Sequence, residues 1–294
     1  MNYLQEKKVK SIISTYENIP PKNVKIIDKL FGGMSNKTYI FKGNDLYSVH
    51  ITEEDGLIFV NRDYELDALS KLKDNPYVQK DVYVVKEDKR YRIFKYVDGK
   101  SLNELDYIKY VKEIAVSLKS LHSSPLFNHN YNPFDYLDYL EKRINMELCD
   151  YYFKAKDLLN SYKEFLTSRK LYPCHNDYQP SNLVLDKNGN VIILDLEFAA
   201  NNDFTYDIAT FGNLDFNSSL VLLKEYNPSY SYDDLKSLYL WRIFIDLQWY
   251  LVALWKKELG FDQKLNLNFK DIAYYFLDQS KPLYDSVIND NLTI

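Results

Sequence analysis

Three side chains, Asp177, Asn182 and Asp195, stand in an order that suits phosphoryl transfer. Asp177 and Asn182 lie in CHNDYQPSN, and Asp195 lies in VIILDLE. Asn188-Gly189 between two short apolar runs predicts a hairpin over residues 183–196. A hairpin folds its ends together, so Asn182 and Asp195 are expected to meet beside the polar loop that carries Asp177. Phosphoryl transfer needs one carboxylate to orient the attacking hydroxyl and take its proton. It also needs oxygen donors, here an Asn and a second carboxylate, to hold magnesium on the phosphates of ATP. Asn182 follows Asp177 by five positions, the spacing of the protein kinase catalytic loop. Any one of these residues alone reads as a solvated turn residue. The ordered set, with His175 ahead of it and Asp195 at a strand end, reads as a catalytic centre.

The surrounding elements divide into two regions. Val9, Ile12, Ile13 and Tyr16 recur at helical spacing, and Pro20-Pro21 closes that helix. Strand-like runs follow at 24–30, 38–42 and 46–51, then a helix over 60–72 and two more strands at 82–86 and 91–96. After Asp98-Gly99 helical patterns dominate. Ser101 and Glu104 have capping-box spacing ahead of a long amphipathic helix carrying Val111, Ala115, Leu118 and Leu121. The expected fold is α+β and two-lobed: residues 1–98 as a small antiparallel β lobe, residues 99–294 as a large, mostly helical lobe.

Composition excludes several function classes. The 294 residues carry a net charge of −5 with no basic stripe, so nucleic acid is not an expected partner. The most apolar stretch, 243–255, is interrupted by Asp246 and Gln248 and reads as a buried helix rather than a membrane span. Two cysteines, Cys149 and Cys174, imply no disulfide framework and fit a reducing cytosol. The N-terminal residues lack the apolar core of a signal peptide.

In its motifs the chain resembles the choline/ethanolamine kinase family, its bacterial choline kinase branch in particular. FGGMSNKTYIF is similar to that family's glycine-bearing turn, CHNDYQPSNLVL to its catalytic loop and VIILDLEFA to its metal-binding strand. TYDIATF and the aromatic segment LWRIFIDLQWYLVALWKKELG match further segments. His-Asn-Asp, rather than His-Gly-Asp, leans away from the aminoglycoside phosphotransferases.

The resemblance implies a protein-kinase-like fold, ATP and magnesium as cofactors, and a small alcohol as acceptor. It makes Asp177 the catalytic base, and Asn182 and Asp195 the metal ligands. Glu197 and Gln179 fall on the substrate side, while His175 and Asp207 brace the catalytic loop. ATP would be held by Gly33, Ser35 and Asn36 in the glycine-bearing turn and by Phe94 and Tyr96 near the inter-lobe hinge. Related kinases place Lys or Arg on the third strand, paired with a helix glutamate. Here His50 falls on that position, with Glu65 as its expected partner and Arg62 as an alternative cation. Trp249 and Asp215 fall near positions that face the substrate's ammonium, and Val252 stands where a second tryptophan is expected. Trp241, Trp255, Tyr274 and Tyr275 are further aromatic candidates. Choline is the expected substrate. Ethanolamine, an aminoglycoside, an amino acid or a sugar are alternatives, as is a pseudokinase that only binds nucleotide.

Overall fold

The computed structural model describes residues 1–30, 36–54, 57 and 61–293. Helix α1 (Tyr3–Glu17) starts at a capping box between Asn2 and Gln5 and ends at Asn18, whose φ of 55° turns the chain before Pro20. Strands β1 (Lys25–Leu30), β2 (Asn36–Lys42) and β3 (Leu46–Thr52) follow. Helix α2 (Arg62–Lys71) precedes β4 (Asp81–Tyr83) and β5 (Tyr91–Lys95). The five strands form one antiparallel sheet in the order β1-β2-β3-β5-β4. Gly33 and Ser35 lie outside the described residues, and Asn36 opens β2 opposite Thr52.

Strand alternation decides which side chains of this sheet reach the site. Tyr47, Val49 and Ile51 of β3 and Tyr91 and Ile93 of β5 pack with Val9 and Ile13 of α1 into one core. The intervening residues therefore face the other way: Ser48 and His50 on β3, Arg92 and Phe94 on β5. His50 pairs with Arg92 on one side and with Thr38 on the other.

The chain then leaves this sheet. Strand β6 (Gly99–Ser101) pairs with β8, in a second antiparallel sheet of order β6-β8-β9. The expected capping box at Ser101 does not form. Ser101 belongs to β6, and a short 3-10 turn over Leu102–Glu104 follows without a side-chain cap. The long helix begins later, as α3 (Val111–His122), and buries Ile114, Ala115, Leu118 and Leu121.

Helices α4 (Pro133–Glu141), α5 (Asp150–Ser161) and α6 (Lys163–Thr167) lead to β7 (Tyr172–Cys174). The hairpin is β8 (Leu183–Asp186) and β9 (Val191–Ile193), with Gly189 at φ 82° in its turn. Strand β10 (Ala200–Asn202) returns to pair with β7. Helices α7 (Phe204–Phe211), α8 (Phe216–Tyr226), α9 (Tyr232–Glu258), α10 (Phe261–Leu265) and α11 (Phe269–Ile288) complete the second region. Helix α9 is buried on nearly every face, which is why its sequence is apolar without a clear stripe. Among the described residues no helix is long and apolar enough to cross a membrane. The two-lobed α+β architecture read from the sequence is the one observed.

Candidate active site

The CHNDYQPSN loop is held by the groups behind it. Asp207 on α7 is fully buried, and its two oxygens accept the backbone N–H groups of His175 at 2.8 Å and Asn176 at 2.7 Å. His122 Nε2 is 3.0 Å from the same carboxylate. His175 Nδ1 accepts the N–H of Asp177 at 3.2 Å, so its Nε2 is the donor to Leu194 O at 2.7 Å. That ring joins the loop to the residue preceding Asp195. Asn176 has φ 62°, a conformation Asn tolerates better than most side chains. Its side-chain amide donates to the carbonyls of Phe198 and Ala200 at 3.0 and 3.1 Å.

The hairpin brings its ends together as its turn chemistry requires. Leu194 N–H donates to Asn182 O at 2.9 Å, which sets Asn182 beside Asp195. Asn182 closes a 3-10 turn (Pro180–Asn182) just before β8, and Asp195 sits two residues beyond β9 with φ 58°. The Asn182 amide donates to Asp177 Oδ2 at 2.8 Å. Gln179 Nε2 lies 3.1 and 3.2 Å from the two Asp177 oxygens. Burial and the nearby charge of Asp195 push the Asp177 carboxyl up to about 7, against the pull of these amide donors.

Gln179 is itself oriented by a chain of buried groups. Its Oε1 accepts from Asn213 at 3.4 Å, and Asn213 Oδ1 accepts from Arg242 at 3.1 Å. Arg242 also donates to Asp246 at 2.6 Å, one helical turn along α9. Gln179 thus caps the Asp177 carboxylate and is braced from α9.

A cleft of about 1060 Å³ opens over these residues, lined by Asp177, Gln179, Asn182, Asp195 and Glu197. Tyr96, Val97, Gly99 and Glu104 line it at the hinge, and Thr38, Ser48 and His50 line it from the sheet. Another part of its wall is aromatic: Tyr131, Tyr136, Tyr139, Tyr206, Trp249 and Phe276. Trp249 stacks on Phe276 with centroids 5.6 Å apart and planes at 18°. Tyr206 and Tyr131 both donate to Gln248 Oε1, at 3.1 and 3.0 Å. Lys256 lines the same cleft two turns beyond Trp249 and is 4% exposed. Desolvation lowers its ammonium to about 8, although Glu197 and Asp177 favour the charged form.

Three expectations from the sequence are corrected by the structure. His50 does not pair with Glu65. It contacts Thr38 Oγ1 through Nδ1 at 3.1 Å, and burial beside Arg92 lowers its pKa to about 4, which leaves the imidazole neutral. Glu65, fully buried, takes Arg62 and Arg92 instead. Phe94 does not line the cleft; it is buried against the core, edge-on to His50. Asp215 is the exposed N-cap of α8, accepting from Asn217 N–H at 3.2 Å and Ser218 Oγ at 3.0 Å. Asn213, two residues earlier, is the one that reaches the cleft.

No sequence motif singles out Arg92, whose Nη1 lies 2.5 Å from Asp195 and 3.0 Å from Glu197. Its guanidinium holds Asp195 below the usual carboxylate range, whereas burial and the charge of Asp195 push Glu197 up. Alternation along YRIFK carried the signal, since Arg92 falls between two core residues. The other aromatic candidates are placed elsewhere. Trp241 is buried with its N–H on Asp203 at 2.9 Å, Trp255 packs edge-on against Tyr139, and Tyr274 and Tyr275 are exposed on α11.

Residues 31–241 match the phosphotransferase enzyme family. Protein LicA of Haemophilus influenzae is 25% identical over 277 residues, which is 87% of this chain and 79% of that protein. The crystal structure of choline kinase LicA from Streptococcus pneumoniae superposes with a TM-score of 0.78 at 21% identity, covering 96% of this chain and 99% of that one. A choline/ethanolamine kinase family protein from Mesorhizobium loti superposes with a TM-score of 0.77 at 16% identity, covering 97% and 96%. The family match spans strands β2 to β5, the CHNDYQPSN loop, the hairpin and the first part of α9, and on it the chain belongs to the phosphotransferase enzyme family.

Proposed function

We propose that this protein transfers the γ-phosphoryl group of ATP to the hydroxyl of a small alcohol, and that the alcohol is choline. The carrying observation is the convergence of Asp177, Asn182 and Asp195 on one cleft, with Asp177 capped by two amide donors. Asp177 receives the proton of the attacking hydroxyl; its raised pKa brings it near neutrality, where a general base works well. Asn182 commits its amide nitrogen to Asp177, which turns its carbonyl oxygen the other way. That oxygen and the Asp195 carboxylate are hard donors that fit magnesium, and these two residues would hold it. The ion would neutralise charge on the phosphate oxygens. Nucleotide enters at the hinge end, beside Tyr96 and Val97.

The aromatic wall supports choline as acceptor. A trimethylammonium group donates no hydrogen bond and is held by ring faces. Tyr131, Tyr136, Trp249 and Phe276 offer such faces in the cleft that holds Asp177. Gln248, the polar group among them, already accepts from two tyrosines. Ethanolamine is the second reading, because Val252 lines the wall and leaves the cage one ring short. The similar structures from Streptococcus pneumoniae and Mesorhizobium loti carry choline and choline/ethanolamine names, in keeping with this order. A coupled ADP-release assay against choline, ethanolamine, sugars and aminoglycosides tests the reading. Choline should give the highest kcat/KM. Turnover of another alcohol with neither amine accepted refutes the substrate and leaves the kinase.

A further inference from the structure

Arg92 lies where three elements meet. Its side chain is 1% exposed, and one nitrogen, Nη1, serves three carboxylates: Asp195 at 2.5 Å, Glu197 at 3.0 Å and Glu65 at 3.4 Å. Glu65 comes from α2, and Asp195 and Glu197 come from the segment after β9. A single cation on β5 therefore ties the sheet to the helix and to the end of the catalytic hairpin. Its Nε and Nη2 are buried with no hydrogen-bond partner among the described residues. Buried donors left in that state are costly, so it is the carboxylates on Nη1 that hold the side chain there. Directly across the ladder stands His50, which lines the cleft.

Protein kinases hold the phosphates with a lysine on the third strand, paired with a helix glutamate. In this chain the helix glutamate is present and the third-strand side chain is an imidazole. Arg62 also reaches Glu65, but it spends Nη2 on Lys89 O at 2.6 Å. We infer that Arg92 is the positioning cation of the phosphate site, moved one ladder step from β3 to β5, with Glu65 as its anchor on α2. This rests on the phosphoryl-transfer reading above. Arg92 sets the aim of Asp195 and holds it beside Glu197. It does not itself line the cleft, so it acts on the phosphate site through Asp195. An imidazole at 50 is then a consequence, since a second full charge opposite Arg92 would repel it.

The test is calorimetric titration of magnesium–ADP into the full chain, with thermal melts alongside. The variants are Arg92→Met, Arg92→His and the exchange His50→Arg with Arg92→His. Loss of the arginine should weaken magnesium–ADP binding by about 10-fold or more, the scale of one charge-assisted hydrogen bond. The exchange should regain most of that loss, because position 50 faces position 92 in the register. Since Arg92 is buried among carboxylates, Arg92→Met paired with Glu197→Gln removes the cation together with one of its carboxyl partners; it should melt cooperatively and still bind at least ~10-fold more weakly. Parental affinity in Arg92→Met, or in the pair with Glu197→Gln, overturns the inference. An exchange variant that binds no better than Arg92→His also overturns it. If the parent itself binds no magnesium–ADP, the phosphoryl-transfer reading fails too; if only the Arg92 variants behave as the parent does, that reading stands.

Discussion

Asn182 donates its side-chain amide to the Asp177 carboxylate at 2.8 Å, five residues back along the chain. The bond orients both groups at once. Asp177 lines the cleft beside Asp195, and the Asn182 amide nitrogen is committed to its carboxylate. Spacing in the sequence is thereby converted into contact between two side chains of one cleft.

The first prediction concerns Asp177. Asp177→Asn should lower turnover by ~100-fold or more, with nucleotide affinity nearly unchanged. The parent's pH profile should rise through about 7 and then level, since the carboxyl is pushed up to about 7 and only its ionised form accepts a proton. The stability sign is the reverse. A carboxyl raised in the folded state contributes stability below its unfolded pKa and loses it as pH rises through about 7. Asp177→Asn should therefore melt no lower than the parent at pH 8. Near-parental turnover in this variant would show that another group is the base.

A second prediction concerns the metal. Asp195→Asn keeps the shape of the side chain and removes its charge from Arg92, 2.5 Å away. Magnesium-dependent turnover should be lost, and calorimetry should show magnesium–ADP affinity falling by ~10-fold or more. Activity that survives a chelator unchanged in the parent removes the metal role from Asn182 and Asp195 together.

The third prediction is about stability behind the site. Asp207 accepts two backbone N–H groups at 2.8 and 2.7 Å and meets His122 at 3.0 Å, all away from water. An amide offers one acceptor oxygen where the carboxylate offers two, and its NH2 would face a donor. Asp207→Asn should cost about 1–3 kcal/mol and lower kcat without a matching change in the nucleotide KM. Parental melting temperature and kcat would assign the loop's shape to other contacts.

Much of the site was legible because its information is local. Asn188-Gly189 dictates a tight turn, the turn dictates which residues meet, and the loop ahead supplies Asp177. The sheet was legible for the same reason: alternation of Tyr47, Val49 and Ile51 against Ser48 and His50 is a property of one strand. What was not legible depends on how strands and helices pair. The partner of Glu65 is decided by the β3–β5 register, which places Arg92 opposite His50. Asp215 and Asn213 differ by two positions, and only the start of α8 decides which of them caps a helix and which faces the cleft. Tyr131, Tyr136 and Tyr139 come from a segment without a motif and reach the site by packing against α9.

That last distinction yields a paired prediction on the acceptor. Trp249 lines the cleft and stacks on Phe276 at 5.6 Å, whereas Asp215 is exposed and bonded to its own helix. A cation over an aromatic face gains about 0.5–2 kcal/mol per ring, so Trp249→Ala should raise the choline KM several-fold to tens-fold. The ATP KM should barely move, because the proposed nucleotide entrance lies at the hinge, beside Tyr96 and Val97. The preference for choline over ethanolamine should narrow, since the smaller ammonium depends more on hydrogen-bond acceptors than on ring faces. Asp215→Ala should act on the fold alone. It removes an N-cap worth about 1 kcal/mol and should lower the melting temperature slightly, with the choline KM unchanged. The measurement is kcat/KM for both amines in the parent and the two variants. A choline KM that rises in Asp215→Ala and stays put in Trp249→Ala would return the ammonium site to the start of α8. A KM unmoved in both would shift the cage to Tyr131, Tyr136 and Phe276, whose single alanine variants would then carry the effect.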